Sequence, residues 1–198
     1  MELPVKETGR AEKLIHKSVE VKLAFLAEGG AAIVEKMAEA VLTALRAGRR
    51  VYLCGNGGSA ADCQHIAGEF VGRLMKERAP LPCVALTTDT SVISAIANDY
   101  SFDAVFERQV NAHVGRGDVL IGLSTSGNSP NVLRAVQAAK KRGAVTLGFS
   151  GRGGGKLKEI ADICLVAPAD ESPRIQELHI TCGHILCDLV ESGYFQDG

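Results

Sequence analysis

Tryptophan is absent from this chain of 198 residues, and its three tyrosines and six phenylalanines make up only 5% of it. A surface that stacks nucleic-acid bases is built from such rings, so their scarcity argues against one. Charge of one sign is lacking too: 22 Lys and Arg face 23 Asp and Glu, the net charge is -1 and the pI about 6.5. No global field therefore recruits nucleic acid or an acidic lipid surface, and neither is expected as a partner. The six cysteines, at 54, 63, 83, 164, 182 and 187, form no CxxC pair. Thiols scattered in and beside apolar runs suggest a reducing compartment rather than a disulfide framework. No apolar run is long enough to span a membrane, and the opening MELPVKETGRAEKL has no signal-peptide core, so a cytoplasmic protein is expected. The length suits one domain with a real core, and 46% hydrophobic residues is ordinary for a globular chain.

What is present is concentrated in one stretch, VLIGLSTSGNSPNVLRAVQAA, from Val119 to Ala139. The apolar run Val119 to Leu123 predicts a buried strand. A short loop, Ser124-Thr125-Ser126-Gly127-Asn128-Ser129, follows it. Pro130 then opens a helix with apolar positions Val132, Leu133, Val136 and Ala139. Four hydroxyls and a glycine thus meet a helix N-terminus at the end of a strand, where free N–H groups and the positive end of the helix dipole converge. Hydroxyls donate hydrogen bonds without adding charge, which suits a phosphate monoester that must bind and leave. The plainer alternative is a polar turn in which Ser129 is an N-cap.

The rest of the chain alternates. Residues 1–9 are polar and expected to be loose. Apolar residues at spacings of three and four from Arg10 to Ala47 predict two helices, divided at Gly29-Gly30. The first is long and apolar for a surface helix, which suggests packing on another subunit, although a helix in a monomer core would read similarly. After Gly48 come strands at Val51–Cys54, Cys83–Leu86, Val119–Leu123, Val145–Phe149 and Ile163–Val166. Helices are expected at Ala60–Met75, near Ser91–Ala97, at Phe102–Val114, from Pro130, at Lys156–Ile160 and from Pro173 to Glu191. This predicts an α/β fold, a three-layer αβα sandwich around a five-stranded parallel sheet, with N-terminal helices (1–48) preceding the main part (49–198). Ligands of such sheets bind at the carboxyl ends of the strands, where strand order reverses.

A second glycine-rich turn, Gly55-Asn56-Gly57-Gly58-Ser59, follows the first of these strands and nearly matches the dinucleotide fingerprint. The hydroxyl loop has no place in that fingerprint, so a nicotinamide cofactor is not expected. The segments GNGGSAADCQHIAGEF, LSTSGNSPNV, IANDYSF and RIQELHITCGHILCDLVE together resemble the phosphoheptose isomerases, a branch of the sugar isomerase (SIS) domain family. The resemblance covers about residues 10–192. The hydroxyl loop alone is common to many sugar-phosphate proteins; the other segments narrow the likeness to the heptose branch. It implies a flavodoxin-like five-stranded sheet, a homotetramer with active sites between subunits, and conversion of sedoheptulose 7-phosphate to D-glycero-D-manno-heptose 7-phosphate, the first step towards nucleotide-activated heptose.

Moving a carbonyl between C2 and C1 requires a base that lifts a carbon-bound proton and an acid that shuttles protons between two oxygens, through an enediol. His65 and Glu69 lie four apart on one predicted helix, so they share a face; taken alone, such a spacing is also that of a surface pair. His184 lies on the last helix, two turns after Gln176. The resemblance implies Glu69 as base and His184 as acid. It also implies one zinc per subunit, held by His65, Glu69, Gln176 and His184. Gln176 and His184 stand about 12 Å apart along a helix, so both would have to lean inward to share an ion. A carboxylate bound to zinc is also a weaker base, so the two roles of Glu69 compete. Ser124, Thr125, Ser126 and Ser129, with Ser59 nearby, are candidates for the phosphate. Asn56, Gly57, Gly58, Asp99 and Gln176 are candidates for the sugar. Asp99, Asp89 and Thr88 read equally well as helix N-caps. His179 falls off the Gln176–His184 face and reads as structural; His16 and His113 read as solvated; Arg174 either caps a site or pairs with an acid. Where family members often carry Asp before Arg-Ile-Gln, this chain has Pro173, so any ring-opening acid must come from elsewhere.

Two rival functions remain at this point: a non-catalytic SIS tetramer that binds a replication initiator protein, and an isomerase of another sugar phosphate. The first has no need of an acid–imidazole pair, and Glu69 and His184 argue for an enzyme.

Overall fold

The computed structural model describes residues 9–195, and the expectation of a loose start lies, for residues 1–8, outside them. The chain opens with two helices, α1 (Arg10–Ala27) and α2 (Gly30–Arg46), which part at Gly29 and Gly30 as the sequence predicts. There follow β1 (Val51–Gly55), α3 (Gly58–Val71), β2 (Cys83–Ala85), α4 (Thr90–Asp99), a 3-10 turn (Phe102–Ala104), α5 (Val105–His113) and β3 (Val119–Ser124). The last third contains α6 (Pro130–Lys141), β4 (Val145–Ser150), α7 (Gly155–Ile160), β5 (Ile163–Val166) and α8 (Ser172–Tyr194). The five strands form one parallel sheet in the order β2-β1-β3-β4-β5. β1 and β3 are buried along their whole length, as continuous apolar runs in a sheet covered on both faces must be.

The covering is two-sided. Met37, Val41, Ile66, Phe70, Ile175 and Leu186, from α2, α3 and α8, pack on one face with inward residues of the strands. Phe106, Val110, Val132, Val136 and Leu157, from α5, α6 and α7, pack on the other. The sandwich is therefore three-layered, as expected. Strand order reverses between β1 and β3, so the loops after these two strands open into the same crevice. These are the glycine turn and the hydroxyl loop.

At the opposite edge of the sheet, cations close helix ends. Arg46 donates to the carbonyl of Gly193 and Lys140 to that of Ile160, the last residue of α7; Arg142 donates to that of Val114, just past α5. Basic side chains there satisfy carbonyls left free by helix termination.

Two differences from the sequence reading go beyond shifts of one to three residues at element ends. α3 ends at Val71, not at Met75, because the next residues bond to a buried carboxylate from α8. Phe102–Val114 is split into a 3-10 turn and α5. All six cysteines are free thiols, and burial pushes Cys54, Cys164, Cys182 and Cys187 up to about 12. They are inert packing groups at neutral pH. Among the described residues no helix is long and apolar enough to cross a membrane.

Candidate active site

The hydroxyl loop is tied together by its own side chains. Ser124 Oγ lies 2.9 Å from Ser129 Oγ and 3.4 Å from Ser126 Oγ. Ser129 occupies the N-cap position of α6, yet its hydroxyl makes no capping bond. The N-cap reading is thus only half met: the residue ends the loop, and its oxygen stays with Ser124. Pro130 sits in the first turn of α6, as expected. Thr125 is half-buried beside them. Gly127 has φ 65°, and a Cβ there would lie 2.0 Å from the carbonyl oxygen of Gly154, so no other residue fits. Asn128 bridges the same two loops, donating to the Ser126 carbonyl at 2.9 Å and accepting the N–H of Lys156 at 3.2 Å.

The glycine turn is joined to this loop by a reciprocal amide pair. Asn56 Nδ2 donates to Asn131 Oδ1 at 2.9 Å, and Asn131 Nδ2 donates to Asn56 Oδ1 at 2.8 Å. Asn131, buried at the start of α6, was not singled out from the sequence. Its signal is only its place two residues after Ser129. Gly57 and Gly58 lead from the turn into α3, whose first turn buries Ser59. An added Cβ on Gly58 would lie 2.5 Å from Nε2 of Gln176, which places the Gln176 amide directly against the turn.

That contact is one end of a seam. α3 and α8 run side by side in the same direction: Gly58 meets Gln176, Ile66 meets Gly183, and His65 meets His184. Glycine at 183 lets the helices approach closely. His65 Nε2 is 3.0 Å from His184 Nε2 and 3.1 Å from Glu69 Oε1, and the two rings meet edge to face at 4.8 Å between centroids. The three residues offer ligand-type atoms that all lie within 4.8 Å of one another, a group that could hold a metal ion.

The chemistry of this cluster is constrained. If His65 Nε2 carries a proton, that single hydrogen faces both the Glu69 carboxylate and the His184 nitrogen. If it does not, its lone pair faces the carboxylate. A cation between the three groups removes the conflict, since two imidazole lone pairs and a carboxylate oxygen are then all ligands. Tetrahedral zinc with bonds of about 2.1 Å holds neighbouring ligand atoms about 3.4 Å apart, close to the 3.1 and 3.0 Å that separate His65 Nε2 from Glu69 and from His184. The donor set therefore fits zinc.

Asp62 completes the line of positions Gly58, Asp62, His65 and Glu69, spaced four, three and four along α3. Burial raises its carboxyl pKa against the lowering effect of His65, and Oδ2 has no partner among the described residues. Sequence reasoning passed over Asp62, although that spacing was its signal.

Other candidates lie apart from this cluster. Asp99 ends α4, exposed, its carboxylate accepting from Asn98 at 2.8 Å. Asp89 is the N-cap of α4, accepting the Val92 N–H at 2.9 Å, so its capping alternative holds. Thr88 donates to the Ala85 carbonyl at 3.2 Å. His179 is fully buried, its Nε2 3.0 Å from the Ser150 carbonyl oxygen, and burial pushes its pKa down to about 4. Arg174 pairs with Glu177 at 2.8 Å and donates to the Leu14 carbonyl, the pairing alternative. His16 and His113 are exposed. Pro173 stands in the first turn of α8.

Comparison with known proteins agrees with this architecture. Residues 16–151 match the model of the SIS domain family. The phosphoheptose isomerase of Aquifex aeolicus is 54% identical over 182 residues, covering 92% of this chain and 95% of its own length. That of Rhodospirillum rubrum is 55% identical over 158 residues, 80% of this chain and 84% of its own. Among solved structures, the phosphoheptose isomerases of Neisseria gonorrhoeae and Francisella tularensis superpose with TM-scores of 0.86 and 0.88 at 43% and 33% identity. Each match spans 92% of this chain and 97% of the other.

Proposed function

The chain belongs to the SIS-domain family and, within it, to the phosphoheptose isomerases, and from that membership we propose that it interconverts sedoheptulose 7-phosphate and D-glycero-D-manno-heptose 7-phosphate in heptose biosynthesis. The observation that carries the chemistry is the meeting of His65, Glu69 and His184 across the α3–α8 seam. A binding module that does no chemistry has no use for two imidazoles and a carboxylate in that arrangement, and the replication-initiator reading is not favoured by the relatives found.

In this reading the phosphate is held by Ser124, Thr125, Ser126 and Ser129 with Ser59, at the helix N-terminus of α6. Gly57 and Gly58 offer backbone N–H groups. Asn56, Gln176 and Asp99 bind sugar oxygens, Asn56 being oriented by Asn131. Glu69 takes the proton from the carbon next to the carbonyl and returns it to the neighbouring carbon. His184 moves the proton between the two oxygens, so the enediol forms and collapses without a free charge in the site. Zinc, when bound by His65, Glu69, His184 and Gln176, supplies a Lewis acid for the substrate carbonyl. Glu69 has two oxygens: Oε1 faces His65, which leaves Oε2 for proton transfer and eases the competition between its roles.

We further propose a homotetramer with sites between subunits, assembled through the N-terminal helical segment of residues 1–48 against the SIS portion, 49–198. Leu14, Ile15, Val19, Leu23 and Leu26 form an exposed apolar stripe along α1, beside exposed Ile185 and Leu189 of α8. Water-facing stripes of this kind mark association surfaces. A cytoplasmic location follows from the substrate, a phosphorylated sugar made inside the cell.

The test is direct. Protein and sedoheptulose 7-phosphate are mixed in deuterated water with and without zinc and followed by proton NMR. A new aldose anomeric signal with deuterium entering at C2 is expected. No conversion by folded protein under either condition would overturn the reading and turn attention to protein partners.

A further inference from the structure

Beyond the site itself, one buried side chain organises the irregular segment that follows α3. Glu191, near the end of α8 and 1% exposed, accepts the N–H groups of Leu74, Met75 and Lys76 at 3.1, 3.0 and 2.9 Å, and Nε of Arg78 at 2.9 Å. Burial alone would raise its pKa; these four donors outweigh it and hold the carboxyl at about 2. Arg78 directs its other donors at the end of α3. Nη2 reaches the carbonyl of Glu69 at 2.7 Å, and Nη1 those of Phe70 and Gly72 at 2.7 and 3.0 Å, and of Ala79 at 3.1 Å. The last carbonyls of α3, which the helix itself leaves free, are thus gathered on one guanidinium, and that guanidinium is paired with α8.

The consequence is geometric. His65 and Glu69 come from α3 and His184 from α8, so their meeting depends on how the two helices are aligned along their axes. A slip of one residue is a shift of about 1.5 Å, half the separation of the two imidazole nitrogens. Where the helices touch at the site, Gly183 offers no side chain to interlock with Ile66. Arg78 grips the peptide of Glu69 itself, and Glu191 stands two turns beyond His184 on the same helix face of contact. We propose that Arg78 and Glu191 are positioning residues that set the axial register of α3 against α8 and so hold His65 and Glu69 opposite His184. Neither touches the reacting groups.

The experiment compares Arg78→Lys and Glu191→Gln with Val110→Ala, a cavity variant in the core on the other face of the sheet. Zinc affinity is read by chelator competition, with zinc alone as the probe, and kcat and KM with sedoheptulose 7-phosphate, at a temperature where each protein is folded. Partners that orient ligand side chains are worth about 10–100-fold in metal affinity or activity. Arg78→Lys and Glu191→Gln are each expected to weaken zinc binding about tenfold or more and to lower kcat similarly, with KM within about threefold. Val110→Ala is expected to lose melting temperature while zinc affinity and kcat stay put. Folded Arg78→Lys and Glu191→Gln proteins that behave like Val110→Ala in both readouts would overturn the proposal. Should neither single variant fold, Arg78→Met with Glu191→Met removes both charges together and leaves none unpaired in the interior. Loss of zinc affinity in that protein supports the proposal, and retention overturns it. The activity readout rests on the isomerase reading, but the zinc comparison does not: wild type that binds zinc and fails to isomerise sinks that reading alone.

Discussion

Replacing Gly58 by alanine separates a steric effect on the site from an effect on the fold. Gly58 opens α3 and lies outside the positive-φ region, so the backbone accepts alanine. Helix propensity then favours the variant by up to about 1 kcal/mol. The new Cβ, however, would lie 2.5 Å from Nε2 of Gln176 and 2.9 Å from its Cδ and Oε1. Carbon contacts settle at about 3.5–4.0 Å, so the amide must retreat by about 1 Å. Glutamine can do so by rotation, at about 0.5–1.5 kcal/mol if it leaves its rotamer. The two terms oppose each other, and stability should stay within about 1 kcal/mol of wild type, a shift of about 2–4 °C in melting temperature at most. Activity should not stay: a misplacement of about 1 Å in a group that holds substrate or metal can cost about a hundredfold. The N–H of residue 58 survives the change, so its loss is not an alternative cause. Melting curves and steady-state kinetics on Gly58→Ala, Gln176→Ala and the double variant form a cycle. The expected result is a fall in kcat/KM of about tenfold to a hundredfold for Gly58→Ala, and no further fall when it is added to Gln176→Ala. Full activity in Gly58→Ala, or losses that multiply in the double variant, would refute the reasoning.

Two further outcomes are expected. Ser126→Ala with Ser129→Ala removes two hydroxyls from the loop that holds the phosphate; each bond to a charged group is worth about 1.5–3 kcal/mol, so KM should rise by at least about a hundredfold, and an unchanged KM would move the phosphate elsewhere. His179, pushed down to about 4 by burial, stays neutral in the folded protein while the unfolded chain takes a proton near 6.5; this part of the stability is intact above pH 6.5 and is lost as pH falls towards 4, by about 3 kcal/mol, and urea unfolding at pH 7, 5.5 and 4.5 should show a shallower decline for His179→Asn.

Much of this molecule is legible from residue patterns. Val119–Leu123 and the hydroxyls after it announce a buried strand running into a helix N-terminus, because continuous apolar character, a proline and a cluster of small polar residues are all local properties. The pairing of His65 with Glu69 is local in the same sense. Other features are not. Gly72 caps α3 locally, but the sequence pattern alone would let the helix run on to Met75; it stops at Val71 because Glu191, on the neighbouring α8, captures the N–H groups of residues 74–76. Ser129 has the sequence of an N-cap, yet its hydroxyl turns to Ser124, a preference set by how β3 delivers that side chain. Asn131 looked like an ordinary helix residue until the crevice brought it against Asn56.

The succession of strands and helices, the parallel sheet, the two loops at its carboxyl edge and the residue types of the site are readable from residue patterns. These follow from periodicity, turn chemistry and the alternation of strands with helices, which act over a few residues or a single unit. Packing, by contrast, brings His65 and His184, 119 positions apart, to 3.0 Å and lays Gln176 against Gly58. Those contacts depend on the axial alignment of two helices that glycine lets approach closely and that the buried Arg78–Glu191 pair ties together, and such packing has no period in the chain.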